Sequence, residues 1–132
     1  FAISNLVSWY VKSDRKEAVS EASAKIFVRG ILENWYITTF LDLEASQIVD
    51  DNLHAFAHAY AHNSDVIEGV PDGIIDKLLN HLTFTGDFND VDRFVEEMVQ
   101  FKNAGLDEFA IRLYKDPEQS MELIAEQVIP HL

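Results

Sequence analysis

The chain has 132 residues and a formal net charge of −13, because 23 aspartates and glutamates face only 10 lysines and arginines. This charge repels phosphate backbones and anionic headgroups, which argues against nucleic acid and membrane surfaces as partners. A hydrophobic content of 48% predicts a folded chain, and no apolar run approaches the ~18 residues that span a bilayer. The sequence has no cysteine, which excludes disulfides and thiol chemistry, and we expect a cytoplasmic protein.

The first elements are a strand and a helix. Residues Leu6–Val11 alternate in the manner of a strand. Asp14 follows as a predicted N-cap, with Glu17 as its capping-box partner. The expected buried stripe of this helix comprises Ala18, Val19, Ala22, Ile26 and the stem of Arg29. Because the chain opens with Phe1 and is soon in a strand, we expect a C-terminal fragment of a longer protein, folded as a single domain over residues 1–132.

The middle of the chain is predicted to be mostly helical. Gly30 is a predicted break, and the apolar segment Ile31–Phe40, which includes Trp35 and Tyr36, is expected to pack against several neighbours. One helix is predicted over Leu43–Ala61, ended by Asn63 and Ser64. A short helix is then expected from Pro71 to about Leu79.

The last third contains two strand-then-helix units. The predicted elements are a strand at Leu82–Thr85, a helix at Asn89–Ala104, a strand at Leu106–Leu113 and a helix from Pro117. The first of these helices carries a predicted apolar stripe of Val91, Phe94, Val95, Met98 and Phe101, and Gly105 ends it. Asp116 is predicted to cap the last helix, with Gln119 completing a capping box. Strand, helix, parallel strand is typical of α/β enzymes.

The chain resembles a known family in several segments. These are the strand and Asp-Arg-Lys-Glu-Ala helix at Val7–Ala18, the Thr85-Gly86-Asp87 turn, the junction Asn103–Phe109, and the ending from Asp116-Pro117-Glu118 to Leu132. They are similar to the C-terminal portion of bacterial-luciferase-like oxidoreductases, in particular deazaflavin-dependent enzymes of the methylene-tetrahydromethanopterin reductase type. The resemblance is weak over Ile31–Leu79.

The resemblance implies an α/β fold in which this chain is a helix-rich C-terminal fragment, about three βα units, of a (β/α)8 TIM barrel. The parent enzyme would transfer a hydride between FMN or a deazaflavin coenzyme and an organic substrate such as a methylene-tetrahydropterin. The fragment would be inactive and would not bind the coenzyme tightly.

Three residues are candidates for coenzyme binding. Arg112, at the C-terminal end of the last strand, could contact a coenzyme phosphate, which in barrels often lies near the last two strands. Thr85 and Gly86, at the end of the preceding strand, could add a hydroxyl and backbone donors. The structural alternative is that Arg112 pairs with Glu108 or another carboxylate and that Gly86 is only a turn residue. No catalytic residue is predicted.

His54, His58 and His62 recur every four residues, a spacing at which two imidazoles on a helix can share a metal ion. The sequence shows no evident third ligand, although Asp50, Asp51 and Asp65 are nearby. We therefore predict no metal site and interpret the histidines as one face of a helix.

Two hypotheses for the chain remain open. As a three-stranded piece of a barrel it would have two unpaired edges, so we expect self-association. Alternatively, it is a non-catalytic, acidic, helix-rich interaction module that presents Trp35 and Tyr36 to a partner helix.

Overall fold

The computed structural model describes residues 1–27 and 32–132, and the chain divides into two compact units. The sheet unit comprises Phe1–Ala18 and Phe84–Leu132, and the helical unit comprises Val19–Thr83. The predictions for Arg29, Gly30 and Ile31 lie outside the described residues. Within the described residues, no helix has the length and apolar character needed to cross a bilayer.

The elements occur in the order β1 (Ser4–Lys12), α1 (Arg15–Ser23), α2 (Asn34–Ile37), α3 (Leu43–Asp51), α4 (Leu53–His62), α5 (Asp72–Leu82), β2 (Thr83–Asp87), α6 (Val91–Asn103), β3 (Glu108–Arg112) and α7 (Pro117–Gln127). Short 3₁₀ turns occupy Phe88–Asp90 and Ile129–His131. The prediction of an α/β chain is confirmed.

In the part of the chain that the structure describes, three strands form a parallel sheet in the order β2-β1-β3. β1 pairs in parallel with β3 along a register that runs from Ser4 opposite Glu108 to Ser8 opposite Arg112. Consecutive strands of a (β/α)8 barrel lie side by side in chain order, which would put β2 in the middle. Here the first strand of the chain is the central one.

The apolar core of the sheet unit lies on one face of the sheet. Alternate residues of β1 (Val7, Trp9 and Val11) pack there with residues of α6 and α7. The other members of this core are Phe84, Val91, Phe94, Val95, Met98 and Val128. Four residues of the predicted α6 stripe are therefore buried, whereas Phe101 in the last turn is exposed and packs edge-on against Phe109.

The helical unit departs from the sequence prediction at Asn52. The Asn52 side-chain amide donates to the carbonyl of Ile48 (2.8 Å), and its backbone amide donates to Val49 (3.1 Å) instead. The Asn52 side chain thus occupies the Ile48 carbonyl, which in a regular α-helix would accept from the Asn52 backbone amide. The prediction of a single helix over Leu43–Ala61 is therefore wrong, and two helices, α3 and α4, occupy this segment. The predicted end at Asn63 is confirmed, in the left-handed conformation.

The predicted packing of the segment Ile31–Phe40 is confirmed in part, because Leu32 and Ile37 are buried, whereas Trp35 is 73% exposed. α2 is a single turn of four residues, and Ile37 occupies its buried side. Side chains two residues apart on a helix point in directions about 200° apart around its axis. Because Ile37 points into the core, Trp35 points toward solvent.

The capping box predicted for α7 is also absent in the described residues. Asp116 occupies the N-cap position in a left-handed conformation (φ 53°) and makes no side-chain capping hydrogen bond. Its carboxylate instead lies 3.9 Å from the Lys12 ammonium group.

Candidate functional site

The face of the sheet opposite the core carries polar side chains that converge at the strand C-terminal ends. Ser8, Tyr10 and Lys12 alternate with the core residues of β1, and Arg112 and Tyr114 lie at the end of β3 and just beyond it. We call these five residues the strand-end cluster. In α/β folds ligands bind at this end of the strands.

Tyr114 is the centre of the strand-end cluster. Its ring stacks on that of Tyr10, with 5.2 Å between ring centroids and 8° between planes. Its hydroxyl lies 3.4 Å from an Arg112 guanidinium nitrogen. Burial alone would raise the pKa of Tyr114, but hydrogen bonds from Arg112, Tyr10 and Ser8 outweigh it and lower the pKa from its ordinary value near 10.

Lys12 is buried, with only 5% of its surface exposed, which is unusual for a lysine unless its charge is compensated. Its ammonium group donates to the Lys115 carbonyl (2.8 Å) and faces the Asp116 carboxylate. The stem of Lys12 therefore follows the sheet and brings its charge to the loop between β3 and α7. Lys12 of β1, Arg112 of β3 and Tyr114 just beyond β3 thus lie toward the C-terminal ends of their strands.

The three predicted coenzyme-binding residues lie at the same end of the sheet but on two sides of β1. Thr85 is buried in β2 and faces away from the side of its neighbour Phe84, which belongs to the core. Because β1 separates β2 from β3, Thr85 and Arg112 are two strand spacings apart, about 10 Å. The β1 residue directly opposite Arg112 is Ser8.

Gly86 lies against a carboxylate. A Cβ at Gly86 would come within 2.2 Å of Oδ2 of Asp90. That carboxylate accepts from the Asp87 amide (3.0 Å) and from Arg15 (2.7 Å), and it also contacts Arg93 (3.2 Å). Burial raises the pKa of Asp90, but these hydrogen bonds outweigh it, so the pKa is lowered. The missing side chain at Gly86 thus makes room for an ion-paired turn.

The histidines of α4 line an exposed face. The rings of His58 and His62 stack with centroids 4.1 Å apart, and Nδ1 of His62 lies 2.9 Å from the His58 carbonyl oxygen. Among residues 1–27 and 32–132, no group of three or more histidines, aspartates or glutamates is arranged to hold a metal ion.

Sequence reasoning missed Ser8, Tyr10, Lys12 and Tyr114. The available signal was the polar alternation Ser8, Tyr10, Lys12 in a strand whose other face is apolar, followed by Tyr114 two residues after Arg112. The parallel register that places Ser8 opposite Arg112 was not readable from the sequence. No protein-family model matches the chain, and no curated protein sequence matches it.

Proposed function

We propose that the sheet unit belongs to an oxidoreductase that transfers a hydride between a flavin or deazaflavin coenzyme and an organic substrate such as a methylene-tetrahydropterin. The family resemblance supports this proposal. The structural observation that carries it is the strand-end cluster, where the Arg112 guanidinium lies 3.4 Å from the Tyr114 hydroxyl and the Lys12 ammonium group contacts the loop that leads into α7. A guanidinium beside a phenol hydroxyl suits the phosphate of such a coenzyme.

The residues of the strand-end cluster would bind and orient the coenzyme. Arg112 offers a planar guanidinium to phosphate oxygens, Lys12 adds a fixed positive charge, and the Tyr114 hydroxyl donates a hydrogen bond that is strengthened by its lowered pKa. The coenzyme itself supplies the hydride chemistry when bound. Since the cluster offers groups for a phosphate only, we propose that this chain alone is inactive and binds the coenzyme weakly.

A titration of the isotope-labelled chain followed by NMR tests the proposal. FMN and riboflavin share the ring system, and only FMN has the phosphate. We expect FMN to shift the signals of Lys12, Arg112 and Tyr114 and riboflavin to leave them unchanged. Arg112→Gln should abolish the FMN shifts, while Arg93→Gln, on α6, should preserve them. Equal shifts with both compounds, or none with either, would refute the phosphate assignment.

We also propose that the parent enzyme is a (β/α)8 barrel, and the order of β1, β2 and β3 in the parent tests this. A barrel of consecutive strands would separate β1 from β3 by β2, so Ser8 and Arg112 would lie about 10 Å apart. In this sheet they are direct partners. The chain has no cysteine, so Ser8→Cys and Arg112→Cys introduce one defined pair. Efficient disulfide formation between them within the longer parent protein, with any cysteine outside these 132 residues replaced by serine, would rule out the barrel.

The second candidate function is the acidic interaction module, and the exposure of Trp35 favours it. The Trp35 ring contacts Tyr36 edge-on (5.7 Å between centroids), and Tyr36 in turn contacts Phe40. The exposed side chains of Glu33, Asp42 and Glu44 flank this aromatic segment in the sequence. A basic amphipathic helix is therefore the partner that this surface suits.

Tryptophan fluorescence tests the interaction module. The chain has two tryptophans, so Trp9→Phe leaves Trp35 as the only tryptophan. We expect a lysine-rich amphipathic peptide to shift the Trp35 emission to the blue and a glutamate-rich peptide of the same apolar pattern to have no effect. No response to the basic peptide would contradict this function.

A further inference from the structure

β3 is an edge strand of the sheet, and within the described residues no strand pairs with its outer side. The other edge strand, β2, is buried at Phe84, Thr85 and Gly86, whereas Glu108 and Arg112 at the two ends of β3 are exposed. An exposed edge presents unpaired backbone donors and acceptors to another strand. The orientation of those groups can be worked out from the pairing with β1.

The backbone groups of Phe109 and Ile111 point outward. The Glu108 amide donates to the Ile3 carbonyl (3.2 Å), so Glu108 and, by alternation, Ala110 and Arg112 direct their amides toward β1. Phe109 and Ile111 are thus the residues whose N–H and C=O groups face a strand added at this edge.

The sequence of β3 is self-complementary about Ala110. If two copies of β3 pair antiparallel with a two-fold axis at Ala110, Phe109 lies opposite Ile111 of the second copy as a hydrogen-bonded pair. Glu108 then lies opposite Arg112 of the second copy, at both ends of the strand. The charges attract, and the apolar pair extends the face on which α6 and α7 pack.

A cavity against β3 also favours a second copy of the chain as the partner. It has a volume of about 530 Å³ and is lined by apolar side chains that include Phe109, Ile111, Ile124 and Ile129. Phe109 and Ile111 are only partly buried. A second strand at the edge would shield both from water.

We propose that the chain forms a two-fold symmetric dimer through antiparallel pairing of β3 with β3 of a second copy, in the register that places Glu108 opposite Arg112. The resulting sheet has six strands. This inference does not rest on the proposed oxidoreductase function and concerns the 132-residue chain, since further strands in a closed barrel would occupy the same edge.

Charge exchange tests the register. Within one strand the Cα atoms of Glu108 and Arg112 are four residues apart, about 13 Å, whereas directly opposite residues of two paired strands are about 5 Å apart. We expect sedimentation equilibrium to give twice the 15.0 kDa chain mass for the wild type. Glu108→Arg and Arg112→Glu should each weaken the dimer about thirtyfold, because each turns two attractive pairs into repulsive ones. The double exchange should restore it. A monomeric wild type, or a double exchange as weak as the single variants, would overturn the proposal.

Cross-linking provides a measurement that does not depend on charge. Two Ala110 Cα atoms on the axis would be about 4.5 Å apart, which a disulfide can bridge. We expect Ala110→Cys to form a covalent dimer rapidly on mild oxidation. Ala104→Cys, an exposed alanine at the end of α6, is the matched control and should form no covalent dimer. Equal rates for the two variants would also refute the register, and far-UV circular dichroism of each variant confirms that it is folded.

Discussion

Replacing Gly86 by alanine should destabilise the sheet unit through a single carboxylate. The new Cβ would lie 2.2 Å from Oδ2 and 2.8 Å from Cγ of Asp90, so the Asp90 side chain must leave its position. It would then lose its hydrogen bond to the Asp87 amide and its ion pair with Arg15.

The magnitude follows from these contacts. Losing a side-chain capping bond costs about 1 kcal/mol, and the ion pair adds about 0.5 kcal/mol because the Arg15 side chain is 54% exposed and well screened. The reduced entropy of the unfolded chain returns about 0.5 kcal/mol. We expect Gly86→Ala to lower the free energy of unfolding by about 1 kcal/mol, measured by urea denaturation followed by circular dichroism.

Two comparisons show whether Asp90 is the cause. In an Asp90→Ala background the substitution should cost much less, because of the three nearest atoms only the Cβ, 3.0 Å away, remains. Gly73→Ala in α5 is the matched control, since a Cβ added there would have no neighbour within 4 Å, and it should stabilise by about 0.5–1 kcal/mol. An equal cost of Gly86→Ala with and without the Asp90 carboxylate would refute the reasoning.

Three further predictions concern the same unit. The folded-state pKa of Asp90 is lowered, so its contribution to stability is complete above the unfolded pKa of about 3.9 and is lost as the pH falls through the folded pKa. Asp90→Asn should therefore make the free energy of unfolding fall less steeply at acid pH. An unchanged slope at acid pH would contradict this. Ultraviolet titration should show one tyrosine ionising below pH 10, and Tyr114→Phe should remove that transition while Arg112→Gln moves it to higher pH; a transition that survives Tyr114→Phe would assign the shift elsewhere. Met98, which is fully buried, should cost about 2–4 kcal/mol when changed to alanine, whereas the half-exposed Met121 should cost less than about 0.5 kcal/mol; similar losses at the two methionines would show that the core is misassigned.

The elements of the sheet unit were predictable because each has a local signal. The alternation of Leu6–Val11 predicted β1, the apolar spacing from Val91 to Met98 predicted α6, and Gly105 and Pro117 marked element boundaries. Predicted strand Leu106–Leu113 is longer than β3, because regular pairing with β1 extends only over Glu108–Arg112. Local patterns thus predicted the type of each element, whereas its first and last residues depend on pairing with other parts of the chain.

The strand order and the middle helices could not be predicted, because they depend on contacts between distant residues. Nothing within β1 indicates that it pairs on both sides. The break at Asn52 depends on one side chain, against which Gly69 packs so closely that a Cβ there would lie 2.4 Å from Oδ1 of Asn52. The coenzyme-binding residues Thr85, Gly86 and Arg112 stay a prediction, to which the structure adds Tyr114 as a measurable neighbour.

The central position of β1 has a consequence for synthesis on the ribosome. Ile3 pairs with Asp107, 104 residues later, so the first strand emerges long before either of its partners. Val19–Thr83 can form its helices meanwhile, since this unit contains its own buried residues. The entropic cost of closing a loop grows only slowly with its length. The time before β1 pairs with β2 and β3 is therefore set by translation of the last fifty residues and not by loop closure. Until then β1, with Val7, Trp9 and Val11 exposed, is the segment that a chaperone would bind.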